Sequence, residues 1–348
     1  MWRPALVLAA CGLAFGAGPA KTVDFHFVDT EGGQATLIVT PSGESVLVDA
    51  GWPGYDGRDA KRIVAAAKKA GLKRIDYLLM THYHLDHVGG VPQLAEMFPV
   101  VTMVDHGSNT ETGKRPKELE DAYLRVMAAG VKRMQVKPGD VLKLKDIRID
   151  IVTARGEKIP KPLKGGGKKN PLCAGAERKA DDPSENARSI GFLLTYGKFK
   201  FVDLADLTWN KELEIACPEH YIGPVDLFLT THHGLDQSNP AAIVHGLRPR
   251  VIVMNNGAKK GGSPSAWKVF VSSPKLSDMW QLHYSLAGGK EANVAEERIA
   301  NIEEKCEGFG ITVEASKNRA LKVTNHRNGH TKTYPPPPQS DTSYAFWQ

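Results

Sequence analysis

Thr81-His82-Tyr83-His84-Leu85-Asp86-His87 is the stretch from which the rest of the chain is read. Three imidazoles and one carboxylate lie within six positions, directly after the apolar run at residues 75–80 and before the turn Gly89-Gly90. A short apolar run of this kind reads as a buried strand. A loop at its C-terminal end can turn alternate side chains into one pocket. Imidazole nitrogen and carboxylate oxygen suit zinc and related transition ions. One ion cannot easily use all four groups from so short a segment. Two can share them, His82 and His84 on one, Asp86 and His87 on the other. A polar surface loop has no need of clustered histidines behind an apolar strand.

Working outward, β-rich runs at residues 22–28, 35–39 and 45–49 precede a helix at 58–70 that ends at Gly71. A helix opens after Gly89-Gly90 and runs to Met97, a strand is expected at 100–104, and another helix at 117–129 stops at Gly130. Strands follow near 131–136, 141–144 and 147–152. The second half repeats this logic: a hairpin at 189–204 around Gly197, a helix at 209–216, and a strand at 225–230 ending in His232-His233-Gly234. Helix, strand and helix are then expected at 240–247, 251–254 and 265–271, another helix near 294–306, and two late strands. Two halves of this kind suggest two β-sheets back to back with helices outside.

With 41% hydrophobic residues the chain can bury a sizeable core, and its net charge of +6 permits an anionic substrate without requiring one. Met1-Trp2-Arg3-Pro4, an apolar stretch at residues 5–15 and the small residues up to Ala20 have the layout of a secretory signal peptide over residues 1–20. Leu8-Ala9-Ala10-Cys11 also resembles a lipoprotein cleavage site, ranked lower because the residues after Cys11 stay apolar. Cys173, Cys217 and Cys306 then remain, enough for one bridge and one leftover thiol, with the pairing open. Residues 155–185 form a long polar loop with a Lys-Gly core at 161–169, more often solvated than binding. Residues 335–348 begin with four prolines and read as an extended or disordered tail.

His-x-His-x-Asp-His after a strand resembles the signature of the metallo-β-lactamase superfamily. The likeness extends over most of residues 21–334. It implies an αββα four-layer sandwich, an α/β (α+β) fold, and a metal-dependent hydrolase carrying Zn2+, with two ions expected and Mn2+ as an alternative. Asp49, in Val46-Leu47-Val48-Asp49-Ala50-Gly51, matches the motif whose Asp braces the metal-binding loop from behind. Phe201-Val202-Asp203-Leu204-Ala205-Asp206-Leu207 resembles the strand that ends in a metal-bridging Asp, a role given to Asp206 with Asp203 as competitor. In Leu229-Thr230-Thr231-His232-His233-Gly234, strand register favours His232 as ligand and leaves His233 as a bracing group or proton donor, though the order is open to reversal.

Within the superfamily the chain is most similar to the ComEC-like branch. Val28-Asp29-Thr30-Glu31-Gly32-Gly33-Gln34-Ala35, Asn186-Ala187-Arg188-Ser189, His232-His233-Gly234 and Val253-Met254-Asn255-Asn256-Gly257 carry that likeness. One departure stands out: no histidine lies between His106 and His220, where many members supply a third imidazole to the first ion. The first ion is therefore expected on His82, His84, Asp206 and water, with Asn186 or Ser189 filling the gap by hydrogen bonding. Asp86 orients the attacking water, and His233, His106 or His283 is a candidate donor to the leaving group. His106, Asn186, Asn255 and His283 are the expected substrate contacts.

The branch and the Lys-rich loop favour a phosphodiester substrate, a small molecule or nucleic acid, with no stable membrane insertion. A lactone, ester or β-lactam hydrolase is the alternative, and a non-catalytic metal-binding interaction protein is a third reading.

Overall fold

Period-two alternation in the strands sorts side chains to two faces, and that sorting builds the molecule. In a computed structural model that describes residues 21–338, Val46 and Val48 point into one apolar cluster and Leu47 into another. Phe192 and Leu194 are divided from Leu193 in the same way, as are Leu227 and Leu229 from Phe228. The shared cluster lies between two nine-stranded sheets. Phe25, Phe27, Phe192, Phe199 and Phe201 form its aromatic centre, with Phe25 and Phe201 ring centroids 4.8 Å apart.

The first sheet runs in the order Thr331–Tyr334, Leu321–Asn325, Ile311–Ser316, Thr22–Phe27, Thr36–Val39, Ser45–Val48, Ile75–Leu79, Val100–Asp105, Lys132–Gln135. The main path of the second runs Ile299–Asn301, Asp278–His283, Val251–Met254, Leu227–Leu229, Phe199–Asp203, Gly191–Tyr196, Arg148–Ala154, Val141–Lys143. Helices Arg58–Lys69, Val91–Met97 and Lys114–Ala128 cover the outer face of the first sheet, burying Ile63, Leu94 and Tyr123. Helices Trp209–Ala216, Ala241–Leu247 and Pro264–Val271 cover the second through Leu213, Ile243 and Phe270. The expected αββα four-layer sandwich is the observed one.

The helix expected near residues 294–306 is not formed. A 3-10 turn at Glu296–Arg298 leads into the strand Ile299–Asn301, which pairs in parallel with Asp278–His283. The Asn301 side chain donates to the carbonyls of Leu282 and Phe309 at 2.9 Å each. Completing a sheet edge outweighs the local helical tendency here.

The long polar segment is tied down. Cys173 is bonded to Cys217 at the end of helix Trp209–Ala216, and Lys168–Lys169 pairs with Glu219–His220. Cys306 is the free thiol among the described residues. Residues 335–338 carry no regular structure; the leader expected at residues 1–20 and residues 339–348 of the tail lie outside the described residues. Among the described residues no helix is long and apolar enough to cross a membrane.

Candidate metal centre

The ligand loop is held by Asp49 at the end of strand Ser45–Val48. Its carboxylate accepts from Thr81 N at 2.8 Å, from Thr81 Oγ1 at 2.7 Å, and meets His87 Nδ1 at 2.7 Å. Asp49 itself sits at φ 60°, a left-handed conformation that Asp tolerates better than most residues. The short helix Leu85–Val88 then presents Asp86 and His87. Gly90 closes the loop against the neighbouring strand end, where a Cβ would stand 2.0 Å from the Ala50 carbonyl oxygen.

With Nδ1 taken by Asp49, His87 directs Nε2 inward, 3.2 Å from Asp86 Oδ2 and 3.3 Å from Asp206 Oδ2. Asp206 follows the strand Phe199–Asp203 through a turn with Ala205 at φ 50°. His233 Nε2 lies 3.3 Å from both Asp86 Oδ2 and Asp206 Oδ1, closing a buried cluster of Asp86, His87, Asp206 and His233. His82 stands beside it with its ring centroid 4.1 Å from that of His87, and His84 is 4.7 Å from His82. His82 Nδ1 is 3.0 Å from Thr81 Oγ1, while its buried Nε2 has no partner. His84 Nε2 is 2.9 Å from Glu111 Oε1, which leaves Nδ1 as its free nitrogen.

Strand register favours His232 over His233, with the order open to reversal; the structure brings both to Asp206. The strand ends at Leu229, and His232 and His233 both adopt left-handed backbone at φ 54° and 55°. Alternation therefore does not apply, and the two adjacent imidazoles both turn toward Asp206. His233 joins the four-group cluster, while His232 Nε2 meets Asp206 Oδ2 at 3.4 Å and Asn186 Nδ2 at 3.5 Å.

These groups fit a metal. The Nε2 atoms of His82, His87 and His233 and Oδ1 of Asp206 are buried without a hydrogen bond. Orphaned buried polar atoms are costly unless something outside the chain satisfies them. Burial alone would raise Asp86 and Asp206, but the surrounding imidazoles outweigh it and hold both well below the usual carboxylate range. Burial, with His87 and His84 nearby, holds the His82 imidazole well below its ordinary value and so keeps it neutral. Burial opposes charge on His87 too, yet Asp206, Asp86 and Asp49 lift it well above.

Other expected site residues lie elsewhere. His106 is buried against Glu185, Nε2 to Oε2 3.0 Å, outside the ligand cluster. Asn255 is buried and donates to Gln34 Oε1 at 3.3 Å, and Gln34 donates to Asp203 Oδ2 at 2.9 Å. Asp203 is thus an interior residue outside the cluster rather than a solvent-facing one. His283 sits 2.7 Å from Asp29 Oδ1, in a different group of side chains from the ligand loop. Ser189 is buried, its carbonyl taken by Thr153 Oγ1 at 3.0 Å, while Asn186 does reach the centre through His232. The Lys-Gly core of the long loop is at the opposite end of strand Phe199–Asp203: Lys164 O accepts from Lys200 at 2.7 Å. That removes the loop's cations from the argument about substrate.

Three residues at the centre went unread in the sequence. Glu111 reaches His84, Glu185 accepts from Tyr83 N and Thr110 N at 3.2 and 2.7 Å, and Lys260 pairs with Asp86. Lys260 also lies 5.1 Å above the Trp52 ring. Glu111 and Lys260 belong to no local pattern and arrive from distant loops, while Glu185 opens the 3-10 turn Glu185–Arg188 that also carries Asn186.

Fold and centre together define an α/β sandwich with a buried Asp and His cluster whose groups fit a metal. Residues 28–165 match the model of the Metallo-beta-lactamase superfamily. A hydroxyacylglutathione hydrolase of Stenotrophomonas maltophilia (strain R551-3) is 40% identical over 68 residues, 20% of this chain and 23% of that protein. ComE operon protein 3 of Bacillus subtilis (strain 168) is 24% identical over 188 residues, 54% of this chain and 20% of that protein. The matches thus span between a fifth and a quarter of these relatives' own lengths. Among solved structures, the metallo-beta-lactamase fold protein YhfI from Bacillus subtilis superposes with a TM-score of 0.45 at 12% identity, covering 74% of this chain and 95% of that one.

Proposed function

We propose that the protein is an exported metal-dependent hydrolase acting on an anionic ester, with a phosphodiester as the substrate class. The observation that carries the hydrolase reading is the convergence of Asp86, His87, Asp206 and His233, with three imidazole Nε2 atoms of the centre left unpartnered. His82, His84, His232 and Asp206 would hold one ion; Asp86, His87, His233 and Asp206 the other. Bound there, the ions supply a hydroxide nucleophile near neutral pH and polarise the scissile oxygen.

The chain's own residues do the positioning. Asp206 lies between the two sets: Oδ1 faces His233, while Oδ2 faces both His87 and His232. Ser238 Oγ, 3.3 Å from His232 Nδ1, gives that imidazole a partner behind and leaves Nε2 inward. His232 in this way supplies the imidazole that the stretch between His106 and His220 lacks. Lys260, half-buried against Trp52 and paired with Asp86, supports the anionic substrate. Once Asp86 serves an ion, the ammonium remains at the rim to meet a phosphate charge.

Export is supported by the Cys173–Cys217 bridge, which persists in oxidising compartments. A thioester or other carboxylic ester is the second reading, favoured by the match to a relative named hydroxyacylglutathione hydrolase. The test is a panel on zinc- and manganese-loaded protein: bis-p-nitrophenyl phosphate, single-stranded DNA, a phosphomonoester, a thioester, a lactone and a β-lactam. Phosphodiester cleavage lost in His84→Ala is the expected outcome. Hydrolysis confined to the thioester, lactone or β-lactam would sink the phosphodiester assignment.

A further inference from the structure

A second group of ligating side chains lies apart from the centre just described. Asp29 follows the first strand, His283 ends the strand Asp278–His283, and Cys306 lies in the loop beyond Ile299–Asn301. His283 Nε2 is 2.7 Å from Asp29 Oδ1, Cys306 Sγ is 3.4 Å from Asp29 Oδ2, and Sγ and Nε2 are 4.0 Å apart. Asp29 and His283 are buried and Cys306 is half-buried, so the group opens to solvent on the thiol side. Glu31 lies on that side, with Oε1 3.9 Å from Sγ.

We propose that Asp29, His283 and Cys306 form a second cation site, for a divalent transition ion of the zinc class, with Glu31 or water as the fourth ligand. Thiolate, imidazole and carboxylate together select a borderline-soft ion over calcium or magnesium. Bond lengths of about 2.0–2.3 Å to tetrahedral zinc imply ligand atoms about 3.3–3.7 Å apart. The three observed separations, 2.7, 3.4 and 4.0 Å, straddle that range. Small opposite shifts of the imidazole and the thiol meet it. The ion replaces the hydrogen bond that now joins His283 and Asp29, and the thiol and imidazole each release a proton on binding.

Charge around the site is balanced for a cation. Asp29, Glu31 and a Cys306 thiolate face Arg62, which meets Asp29 Oδ2 at 2.9 Å and Glu31 Oε1 at 3.2 Å, and Arg58, which meets Glu31 at 2.5 Å. Three anionic groups against two guanidiniums leave room for positive charge. Without an ion, burial opposes charge on His283, but its hydrogen bonds to Asp29 and Cys306 win and lift the imidazole to about 9. A proton therefore occupies the position the ion would take, and the two compete.

The site is not idle scaffolding. The segment that carries Asp29 and Glu31 continues to Gln34, whose N donates to Asp86 O at 3.1 Å. An ion on Asp29 would fix the loop that frames the ligand cluster.

The experiment uses the full chain loaded with cobalt(II), beside Cys306→Ser and His84→Ala. A thiolate-to-cobalt charge-transfer band in the near ultraviolet is expected in the wild type and in His84→Ala, and is expected to vanish in Cys306→Ser. Native mass spectrometry should show Cys306→Ser holding one ion fewer. A wild type without the band, or a band that survives in Cys306→Ser, overturns the proposal. A second measurement needs no variant: zinc should slow alkylation of Cys306 by iodoacetamide at least tenfold, read by peptide mass spectrometry. An unchanged rate at saturating zinc also overturns it.

Discussion

Asp49 holds the ligand loop by three contacts, and the third sets the chemistry of His87. A carboxylate can only accept, so a His87 that has given up its second proton to bind an ion keeps the remaining one on Nδ1 and turns Nε2 to the ion. In Asp49→Asn the amide can still accept from Thr81 N, but its NH2 must then face His87 Nδ1 or Thr81 Oγ1. His87 is pushed toward the tautomer with hydrogen on Nε2, the wrong one for binding. Metal affinity should fall roughly 10- to 100-fold while the fold survives. Chelator competition reads this directly, and an affinity within twofold of wild type would show that Asp49 does not set the tautomer. At this scale the sequence is legible where the chemistry is local. His82, His84, Asp86 and His87 share six positions, and Asp49 and Asp206 each end a recognisable strand. It is illegible where a side chain arrives from elsewhere, as Glu111 and Lys260 do. His232 and His233 fail for another reason: register presumes extended backbone, and both residues leave it.

At the scale of elements, the long polar segment shows how one covalent link turns a loop into structure. Its Lys168–Lys169 strand pairs with only two residues, too few to hold by themselves. Asn170 adds side-chain bonds to Ala216 O at 3.0 Å and Ala242 O at 2.9 Å. The Cys173–Cys217 bridge closes a span of 44 residues, which in the chain-entropy model stabilises the folded chain by about 4 kcal/mol. The double variant Cys173→Ala/Cys217→Ala should therefore lose about that much in urea unfolding, with metal content unchanged. Proteolysis should then cut within residues 161–182 first. A variant that stays as stable and as resistant as the parent would mean that the segment is held by its other contacts. The three cysteines were visible in sequence, but their pairing was not, because it depends on where helix Trp209–Ala216 ends relative to the loop. Periodicity likewise misjudges residues 294–306, where parallel pairing with the preceding strand Asp278–His283 decides the outcome.

For the whole molecule, the doubled strand-and-helix pattern gave away two sheets, yet the closure of the first sheet was hidden. Its N-terminal strand Thr22–Phe27 pairs with Ile311–Ser316, a contact no local pattern announces. Such closure leaves titratable groups inside, and these govern how stability responds to pH. Burial pushes Glu212 up to about 8 from an ordinary 4.5, with Asn239 N donating to its Oε2 at 2.5 Å. Burial pushes Asp203 up to about 7 and holds His220 and His26 down at about 4. A raised carboxyl keeps its proton in the folded state after the unfolded chain has lost it. Its contribution is whole below 4.5 for Glu212 and is lost as pH rises through 8. A depressed histidine acts in reverse, contributing fully above 6.5 and losing that contribution as pH falls through 4. The two slopes oppose each other between 4.5 and 6.5; above 6.5 the carboxyls act together with His283, whose contribution is lost as pH rises from 6.5 through about 9. The metal-free protein should therefore lose stability from pH 6.5 to 8, by a few kcal/mol at most, at about 1.4 kcal/mol per pKa unit. Glu212→Gln keeps the size and the acceptor for Asn239 N but cannot ionise, so its stability should fall less across the same interval. Urea unfolding of both proteins across that range tests this; parallel curves would mean that Glu212 does not charge inside the fold.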